Sequence, residues 1–447
     1  MSVCSYRGQY VYAKGLFVED LWVTVCDGVI VSVGKTPPPE GERVEFEEAA
    51  IVPATVNTHI HSFQALLRGT LDGRRLPEWL QGIYSASCDY GPEECYAGAV
   101  VSFAELLRSG TTLVADFFYL NARGNENARA VVRAAKDVGV RVVLGRAGLD
   151  AEWAGPGARE DVRTALRRLR ELAAEFADDP YVEISPAPHS IYGASRAMFE
   201  EMAQFATDVD TLWYVHLTDP RGGADNRLNQ PGERTIARLE EWGILSERTV
   251  AVHALGLREG ELEVIAERGA RISWNPDSGM WFGDGMFDLP AALKAGVRVG
   301  LGTDGAASNN GLNIWLESRI GSLGTKLMAD DAAAVCSRDV FRVATEGGGE
   351  LLGVKTGALE PGWHADFVVL DLLDLSLVPT MALDSHIVNS LSERAVRHVY
   401  RGGQRVVCEG HLVRIDEREV ARRASKLANR SHAEVKLPLP GAAKQRG

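Results

Sequence analysis

The sequence predicts an α/β protein, a parallel (β/α)8 barrel flanked by a small β domain that both ends of the chain build together. Apolar strand-like runs alternate with amphipathic helical runs over roughly 300 residues, which suits a barrel of this size. Before and after that stretch the patterning is of β type only. Two folding units are therefore expected.

The first segment is β-rich. The stretch GLFVEDLWVTVCDGVIVSVGK alternates β-branched with polar residues and turns at glycines, which predicts short, tightly joined strands. Similar patterning returns after about Ala358 in ADFVVLDLL, VRHVYRGGQRVVCEG and HLVRID. We expect residues 1–50 and 359–425 to form the β domain, 51–358 the barrel, and 426–447 a C-terminal tail.

Eight apolar runs predict the barrel strands. Amphipathic segments separate them, and several of these segments end in glycine, as helices often do. In such a barrel the functional groups lie at the C-terminal ends of the strands. The runs are AIVPATVNTHIH, TTLVADFFYL, VRVVLGRAGL, YVEISPAPHS, TLWYVHLTD, TVAVHALG, ARISWNP and VRVGLGTDG.

Composition narrows the function classes. The net charge of −13 disfavours nucleic acid as a partner, and no apolar run is long enough to span a bilayer. Six cysteines occur without a C-x-x-C pair, which argues against a disulfide framework and a thiolate zinc site. The start of the chain lacks the features of a secretory signal. We expect a cytoplasmic protein that acts on a small molecule.

The strongest local motif is His59-Ile60-His61, directly after an apolar run. Residues i and i+2 of a strand share a face, so both imidazoles can converge on one ion. Position strengthens the pattern, because His216, His253 and Asp304 also close apolar runs. Several strand ends therefore present metal-binding or proton-carrying side chains to one place.

His59, His61, His216 and Asp304 would give one divalent ion a mixed nitrogen and oxygen site that suits Zn²⁺, with Fe²⁺ as the alternative. His253 is then placed to shuttle a proton, and Asp304 to act as ligand and base. The ends of the third and fourth runs carry no lysine that could bridge two metals. One metal is expected.

The same residues resemble a known pattern from end to end. The chain is similar to the chlorohydrolase and methylthioadenosine/S-adenosylhomocysteine deaminase branch (ATZ/TRZ type) of the amidohydrolase superfamily. The terminal segments GALEPGWHADFVVLD and VYRGGQRVV resemble that branch's β-sandwich. The motifs that carry the resemblance are PATVNTHIHSFQALLRG, PEWL, SGTTLVADF, APHSIY, HLTD, VHALGL, NPDSGM and LGTDGAASNN.

The resemblance implies the same four metal ligands and assigns the attacking water to His253. It also implies that His189, in the APHS motif, contacts a polar group of the substrate. At the third histidine the family has H-x-x-E, whose glutamate passes a proton to the substrate ring. Here Asp219 stands in that place, and its carboxylate reaches about 1.5 Å less far. We carry Asp219 as a candidate proton donor.

Four further positions are candidate substrate contacts. By count from PEWL, Cys88 falls where nucleoside-deaminating relatives carry a glutamate for ribose hydroxyls, which argues against methylthioadenosine and S-adenosylhomocysteine. Arg146 is a candidate for an anionic or carbonyl group, with a surface salt bridge as the alternative. Gln64 suits a lactam edge, since an amide both donates and accepts, and a plain surface position is its alternative. Trp281 is a candidate for stacking on a planar ring, or for packing at the barrel rim.

These residues predict a hydrolytic deaminase that acts on a C–NH2 or C=N carbon of a nitrogen heterocycle or amidine and releases ammonia. Hydrolytic dechlorination or dealkylamination of a triazine-like ring, and deimination of a formiminoglutamate-type compound, are the enzymatic alternatives. A non-catalytic scaffold of the same fold is the remote one, because scaffolds tend to lose their ligands. The resemblance also implies a homo-oligomer, a dimer or larger.

Overall fold

The computed structural model describes residues 3–121, 123–155, 157–219 and 233–435. The N-terminal segment is β-structured, as its alternating pattern predicts. Glycines and other residues with positive φ, such as Gly15 and Gly28, form the turns between strands. The strands are β1 (Val3–Arg7), β2 (Tyr10–Ala13), β3 (Leu16–Glu19), β4 (Trp22–Cys26), β5 (Val29–Gly34), β6 (Glu42–Glu45) and β7 (Ala49–Pro53).

Eight further strands form the barrel, and each lies within one of the eight predicted runs. They are β8 (Thr55–Ile60), β9 (Thr111–Phe118), β10 (Arg141–Gly148), β11 (Val182–Pro188), β12 (Trp213–Thr218), β13 (Thr249–Leu255), β14 (Arg271–Trp274) and β15 (Arg298–Leu301). They pair in parallel in two groups, β8 to β11 and β12 to β15.

Backbone hydrogen bonds close the two groups into a barrel. The amide of His216 donates to the carbonyl of His189 at 3.0 Å, and the amide of Asp304 donates to the carbonyl of His59 at 3.0 Å. Each closing bond therefore joins residues of the predicted site. The predicted parallel barrel is confirmed.

The C-terminal strands complete the β domain: β16 (Phe367–Asp371), β17 (Val396–Arg401), β18 (Gln404–Cys408) and β19 (His411–Leu412). One sheet has the order β5-β4-β1-β6 and the other the order β19-β18-β17-β16-β7-β2-β3. The two ends of the chain meet where β16 pairs antiparallel with β7. Apolar residues of both sheets, such as Val23 and Phe367, share one core, which is the packing of a β-sandwich.

The helices cover the barrel. Local signals set their ends: Asp161 accepts a hydrogen bond from the Thr164 amide at the start of one helix, and Gly139 ends another with a φ of 102°. The helices are α1 (Leu76–Ser87), α2 (Pro92–Arg108), α3 (Glu126–Val138), α4 (Val162–Glu175), α5 (Arg196–Asp208), α6 (Thr235–Glu241), α7 (Glu261–Glu267), α8 (Pro276–Trp281), α9 (Leu289–Lys294), α10 (Ile314–Ala329), α11 (Ser337–Ala344), α12 (Glu346–Leu352), α13 (Leu383–Ser390) and α14 (Glu417–Val435).

Helix α14 continues past residue 425, where the sequence predicts that a tail begins. It packs against α2, and ion pairs join Arg423 to Glu93 and Arg430 to Glu94. These contacts explain why the helix runs on. Residues 436–447 lie outside the described residues, so the tail stays a prediction there. No helix in the described ranges is both long and apolar enough to cross a bilayer.

Candidate active site

The predicted histidines and aspartate meet at the C-terminal ends of the barrel strands. His59 lies in β8, His216 in β12 and His253 in β13, while His61 directly follows β8 and Asp304 lies three residues after the end of β15. All five side chains are buried. Five residues from distant parts of the chain thus share one small volume.

Their ligand atoms converge. One atom from each of His59, His61 and Asp304 lies within 4.8 Å of the others, and the same holds for His59, His216 and His253. Nε2 of His59 lies 3.4 Å from Oδ1 of Asp304, and Nε2 of His61 lies 3.6 Å from the same oxygen. These spacings are those of groups that can share one ion of about 2 Å coordination radius.

In two of the histidines, the ring nitrogen that faces away from the cluster is hydrogen-bonded to a backbone carbonyl. Nδ1 of His61 donates to the carbonyl of Phe117 at 2.6 Å, and Nδ1 of His216 donates to the carbonyl of His189 at 2.9 Å. Backbone partners of this kind fix the tautomer and direct Nε2 toward the ion in metal sites. Both imidazoles are therefore oriented as ligands before any ion binds.

The chemistry of the donors fits a divalent ion. Nε2 of His59 is buried and makes no hydrogen bond among the described residues, although a buried nitrogen of this kind usually has a partner. Burial lowers the pKa of His59 to about 3 and the pKa of His216 well below its usual value. Imidazoles must be neutral to bind a metal, so this environment prepares them as ligands.

Asp304 is held in a strained backbone position. Its φ is 59°, a conformation uncommon for residues other than glycine. The amide of Gly305 donates to Oδ1 at 2.7 Å, and the hydroxyl of Ser278 donates to Oδ2 at 2.7 Å. Burial raises the pKa of Asp304, but the neighbouring His59, His253 and His61 outweigh burial and leave that pKa well below normal. The carboxylate is ionised and its direction is fixed.

Asn57 sets the distance between the first and last strands. Its amide donates to the hydroxyl of Thr303 at 2.8 Å, and its Oδ1 accepts from the amides of His59 and Thr303, both at 3.2 Å. A Cβ at Gly302 would lie 2.8 Å from the His59 amide, so a side chain does not fit there. The approach of His59 to Asp304 therefore depends on Asn57 and on a glycine.

His253 has a different partner from the ligand histidines. Nδ2 of Asn275 donates to Nδ1 of His253 at 3.1 Å. With Nδ1 accepting, the proton of the neutral ring is on Nε2. Burial lowers the pKa of His253, so the ring is neutral near pH 7. Its Nε2–H faces the cluster as a hydrogen-bond donor.

A cavity with aromatic walls opens above the cluster. Its floor is formed by His61, His216, His253 and Asp304. Its walls come from α1, the segments after β9 and β11, the ends of β12 and β13, and the α8 region. The wall residues are Leu76, Trp79, Leu80, Tyr84, Tyr119, His189, Tyr192, Thr218, Leu255, Ser278, Gly279, Phe282 and Asp284.

His189 lies in this wall, where the sequence placed it. Its ring centroid is 4.8 Å from that of His216, and its Nε2 is 3.5 Å from the hydroxyl of Tyr84. Burial lowers its pKa to about 3. A neutral imidazole here can donate to or accept from a polar group of a ligand.

Asp219 does not reach the cavity. Its two carboxylate oxygens accept from the amide of Thr235 at 2.9 Å and from the hydroxyl of Thr235 at 2.7 Å, at the start of α6. Nε of Arg234 lies 3.6 Å away. The neighbouring Thr218 lines the cavity instead. The role of Asp219 in proton transfer stays a prediction, and in this geometry the carboxylate caps a helix.

The structure also places the four predicted substrate contacts outside the cavity wall. Arg146 is wholly buried and forms two hydrogen bonds with Glu160, at 2.8 and 3.1 Å, so it makes a salt bridge in the interior and not, as the alternative had it, at the surface. Gln64 is buried behind the floor, where it donates to the hydroxyl of Tyr119 at 3.0 Å. Cys88 follows the end of α1, with its thiol 3.4 Å from the carbonyl of Ser85, and Trp281 ends α8 beside the cavity.

The sequence reasoning missed most of the wall. Tyr84, Tyr119 and Tyr192 surround His189, and Trp153 packs edge-on against this group with its ring 5.5 Å from that of Tyr84. Tyr119 directly follows a strand at the end where sites form, and Tyr192 lies in the APHSIY motif, so both carried a local signal. Tyr84 and Trp153 come from a helix and a loop without motifs.

Fold and site together define a (β/α)8-barrel hydrolase. Residues 50–406 match the model of the Amidohydrolase family, and the chain belongs to that family. It is 33% identical to 5-methylthioadenosine/S-adenosylhomocysteine deaminase of Natronomonas pharaonis, over 91% of this chain and 93% of the relative. It is 34% identical to 5'-deoxyadenosine deaminase of Methanothermobacter thermautotrophicus, over 83% and 84% of the two chains.

A solved structure extends the likeness to three dimensions. The adenosine deaminase of Xanthomonas campestris with bound zinc superposes with a TM-score of 0.88, at 29% identity, over 96% of this chain and 98% of that chain. The resemblance read from the motifs is therefore confirmed at the level of family and fold.

Proposed function

We propose that the chain is a zinc-dependent hydrolase that releases ammonia from an amino-bearing carbon of a planar nitrogen heterocycle. The observation that carries this proposal is the convergence of His59, His61, His216 and Asp304 beneath a cavity with aromatic walls, whose floor includes the last three of them. The relatives named above, all deaminases, support deamination as the reaction.

The same four residues would hold the ion, with Fe²⁺ as the alternative to Zn²⁺. When bound, the ion would lower the pKa of a water molecule toward neutrality and polarise the group under attack. The fixed Nδ1 atoms of His61 and His216 would keep the ligands in place without further ordering.

Asp304 is the base in this proposal. Its low pKa keeps it ionised, and Ser278 and Gly305 hold its oxygens in place beside the histidines. It would take a proton from the attacking water and return it to the leaving nitrogen. His253, whose Nε2–H is a donor, would orient the water and stabilise the developing negative charge rather than remove the proton.

The walls suit a flat ring. Tyr84, Tyr119, Trp79 and Phe282 supply aromatic surfaces, and His189 supplies a neutral donor or acceptor for a ring nitrogen or carbonyl. Asp219 would take part in proton transfer only after leaving its two hydrogen bonds with Thr235. Asp304 needs no such movement.

The position of Cys88 also removes the sequence-based objection to nucleoside substrates. Cys88 does not line the cavity, so its thiol gives no reason to reject a ribose-bearing substrate. Asp284 is the one carboxylate besides Asp304 among the described lining residues, and it is partly exposed, which puts it at the mouth. We infer that Asp284 accepts hydrogen bonds from hydroxyl or amino groups on the outer part of the substrate.

An ammonia-release screen tests the reaction. Zinc-loaded protein would be given adenosine-type nucleosides, free purines, pterins, pyrimidines, triazines and formimino compounds. We expect ammonia from at least one heterocycle, and a loss of about 10²- to 10⁴-fold in His253→Ala at an unchanged melting temperature. His411→Ala, an exposed histidine on β19, is the matched control and should keep full activity. Silence of the zinc-loaded protein across the panel would refute the proposal.

Asp284→Asn tests substrate choice. For the substrates with outer hydroxyl groups we expect KM to rise about 10- to 100-fold, because a hydrogen bond to a charged group is lost, while kcat stays nearly constant. Free bases should be processed with unchanged KM. An unchanged KM for nucleosides would remove Asp284 from the binding site.

The same screen separates the alternatives. Chloride or alkylamine release from triazines, or deimination of formimino compounds, would redirect the assignment to another leaving group at the same centre. A protein that binds no zinc or iron would fit the scaffold alternative. A cytoplasmic location and assembly as a homo-oligomer stay part of the proposal.

A further inference from the structure

A buried glutamate lies behind the wall of the cavity. Glu317, in the first turn of α10, is only 2% exposed. The backbone amide of Asp277 donates to its Oε2 at 3.1 Å, and the side chain of Asn309 donates to the same carboxyl group. Glutamate is rarely buried to this extent without specific partners, because the loss of its hydration is costly. The two donors therefore show what this residue holds.

The two donors belong to the two segments that build the site. Asp277 lies in α8, which contributes to the cavity wall. Asn309 lies in the segment 302–313, which contains Asp304, and it also donates to a backbone carbonyl within that segment. Glu317 thus connects α10 to both segments at once.

The start of α8 directs two residues of the site. The hydroxyl of Ser278 donates to Oδ2 of Asp304 at 2.7 Å, and the amide of Asn275, directly before the helix, donates to Nδ1 of His253 at 3.1 Å. Hydrogen bonds of this kind are lost when the atoms separate by about 1 Å more. Both bonds therefore depend on where α8 lies.

The inner face of α10 is shaped to receive this segment. Glu317, Gly321 and Gly324 are spaced by four and three residues, so they share one face of the helix. A side chain at Gly321 would collide with the ring of Trp274, and one at Gly324 would collide with Met286. Trp274 and Met286 flank α8 in the sequence. The glycines therefore set the distance of α10 from this segment, and Glu317 supplies the hydrogen bond to α8 itself.

On the basis of the function proposed above, we infer that Glu317 is a positioning residue of the metal site. Its carboxyl group fixes the start of α8, so that Ser278 holds the carboxylate of Asp304 as ligand and base. The same helix start keeps Asn275 on His253. Glu317 does not line the cavity, so its effect on the chemistry passes through these neighbours.

The surroundings of Glu317 favour the neutral carboxyl form. Burial raises its pKa well above the usual value and the nearby Asp277 raises it further, while the donated hydrogen bonds oppose this only in part. Glutamine has nearly the shape of a neutral carboxyl group, and its oxygen can still accept from the Asp277 amide. Methionine has a similar length but offers no comparable acceptor. Glu317→Gln and Glu317→Met therefore form a matched pair.

Zinc affinity tests the inference without relying on turnover. Metal-free protein would be titrated with Zn²⁺ in competition with a chelator of known affinity. We expect the Kd for zinc to rise about 10- to 100-fold in Glu317→Met, the range for residues that hold metal ligands, and by less than about 3-fold in Glu317→Gln. In active protein kcat should fall in the same order, with KM changing less than kcat.

A double-variant cycle with Ser278→Ala tests whether Glu317 acts through α8. We expect Ser278→Ala alone to weaken zinc binding about 10- to 100-fold. Adding Glu317→Met should then weaken it by less than about 3-fold more, because the bond that Glu317 supports is already lost. A general loss of stability would instead give the same factor in both backgrounds, and such additivity would contradict the inference.

Glu105→Met is the matched control. Glu105 accepts from the amide of Leu312 at 3.1 Å, two residues before α10, so this variant also takes a carboxylate away from a backbone amide beside the helix. Its melting temperature should fall, while its zinc affinity and kcat should stay within about 2-fold of the wild type.

Glu317→Ala guards against a folding defect in the methionine variant, because it removes the acceptor without adding bulk, and it should lose zinc affinity to the same extent. A wild type that takes up no zinc, unchanged zinc affinity in both Glu317→Met and Glu317→Ala, or an equal loss in Glu105→Met would overturn the inference. These zinc measurements decide the role of Glu317 whatever the screen for ammonia release shows.

Discussion

Two buried aspartates at opposite ends of the barrel have opposite surroundings. Asp366 lies at the N-terminal end, where its carboxylate accepts from Arg141 at 2.7 Å, from Thr356 at 2.8 Å and from the Gly402 amide at 2.6 Å. Asp304 lies at the C-terminal end among histidines, with a positive φ and with Nε2 of His59 left without a hydrogen bond beside it. The carboxylate of Asp366 has a counter-charge and further hydrogen-bond donors, whereas Asp304 has a strained backbone and an unpaired polar atom beside it.

The difference separates stability from function within one fold. The Asp366 cluster joins the first residue of β10 to the β domain, and it stabilises that junction because the buried carboxylate has three hydrogen-bond donors, one of them the positive charge of Arg141. Strain and unmatched polar atoms around Asp304 cost free energy in the empty protein. A protein retains such unfavourable groups where the binding of a ligand offsets their free-energy cost, which is expected of a metal site.

The largest expected effect comes from Asp304→Asn. The change keeps the size of the side chain but removes the negative charge of the ligand and base and replaces one acceptor oxygen by an NH2 donor. We expect turnover to fall by more than about 10³-fold and zinc affinity to fall with it, while the free energy of unfolding of the metal-free protein changes by about 1 kcal/mol or less. Steady-state assays and denaturant titration measure the two quantities. Turnover near the wild-type level would exclude Asp304 as base.

Asp366→Asn should give the reverse pattern. It leaves the guanidinium of Arg141 buried without its counter-charge, so we expect the free energy of unfolding to fall by about 3–5 kcal/mol. Zinc stoichiometry and kcat of the folded fraction should be unchanged. The double variant Arg141→Met with Asp366→Leu should recover much of this loss, because no charge is then left buried. A kcat that fell together with stability would show that the two ends are not separable.

The smallest effect is on pH dependence. Burial raises the pKa of Asp366, but Arg141 and the hydrogen-bond donors outweigh burial and leave that pKa below normal. A lowered folded-state pKa stabilises the fold above the unfolded pKa of about 3.9 and loses that contribution as the pH falls further. The melting temperatures of wild type and Asp366→Asn should therefore differ by a constant amount above about pH 5 and converge in stronger acid. A difference in melting temperature that widened in acid would contradict a lowered pKa of Asp366 in the folded protein.

Strand ends were the most predictable part of the molecule. Each of the eight apolar runs contains a barrel strand. A histidine or aspartate at the end of such a run therefore lies at the C-terminal face of the barrel. His59, His61, His216, His253 and Asp304 therefore converge as the sequence indicated. The periodicity of the apolar residues and the direction of each strand are local features of the sequence, and they are sufficient to predict this convergence.

The substrate contacts were less predictable, because they depend on packing between distant segments. The charges of Arg146 and Glu160 neutralise each other within the protein, and the carboxylate of Asp219 finds Thr235. The spacing of these residues along the sequence predicts neither contact. The aromatic wall likewise joins α1 to loops far along the chain, so the contribution of Tyr84 could be found only in three dimensions.

Metal stoichiometry tests the central claim most directly. The purified chain would be stripped with a chelator, titrated with Zn²⁺ in a calorimeter and analysed for bound metal, beside Asp304→Asn and Asp366→Asn. We predict one ion per wild-type chain and per folded Asp366→Asn chain, with greatly weakened binding in Asp304→Asn. No uptake of Zn²⁺ or Fe²⁺ by the folded wild type, or equal binding by Asp304→Asn, would contradict the account.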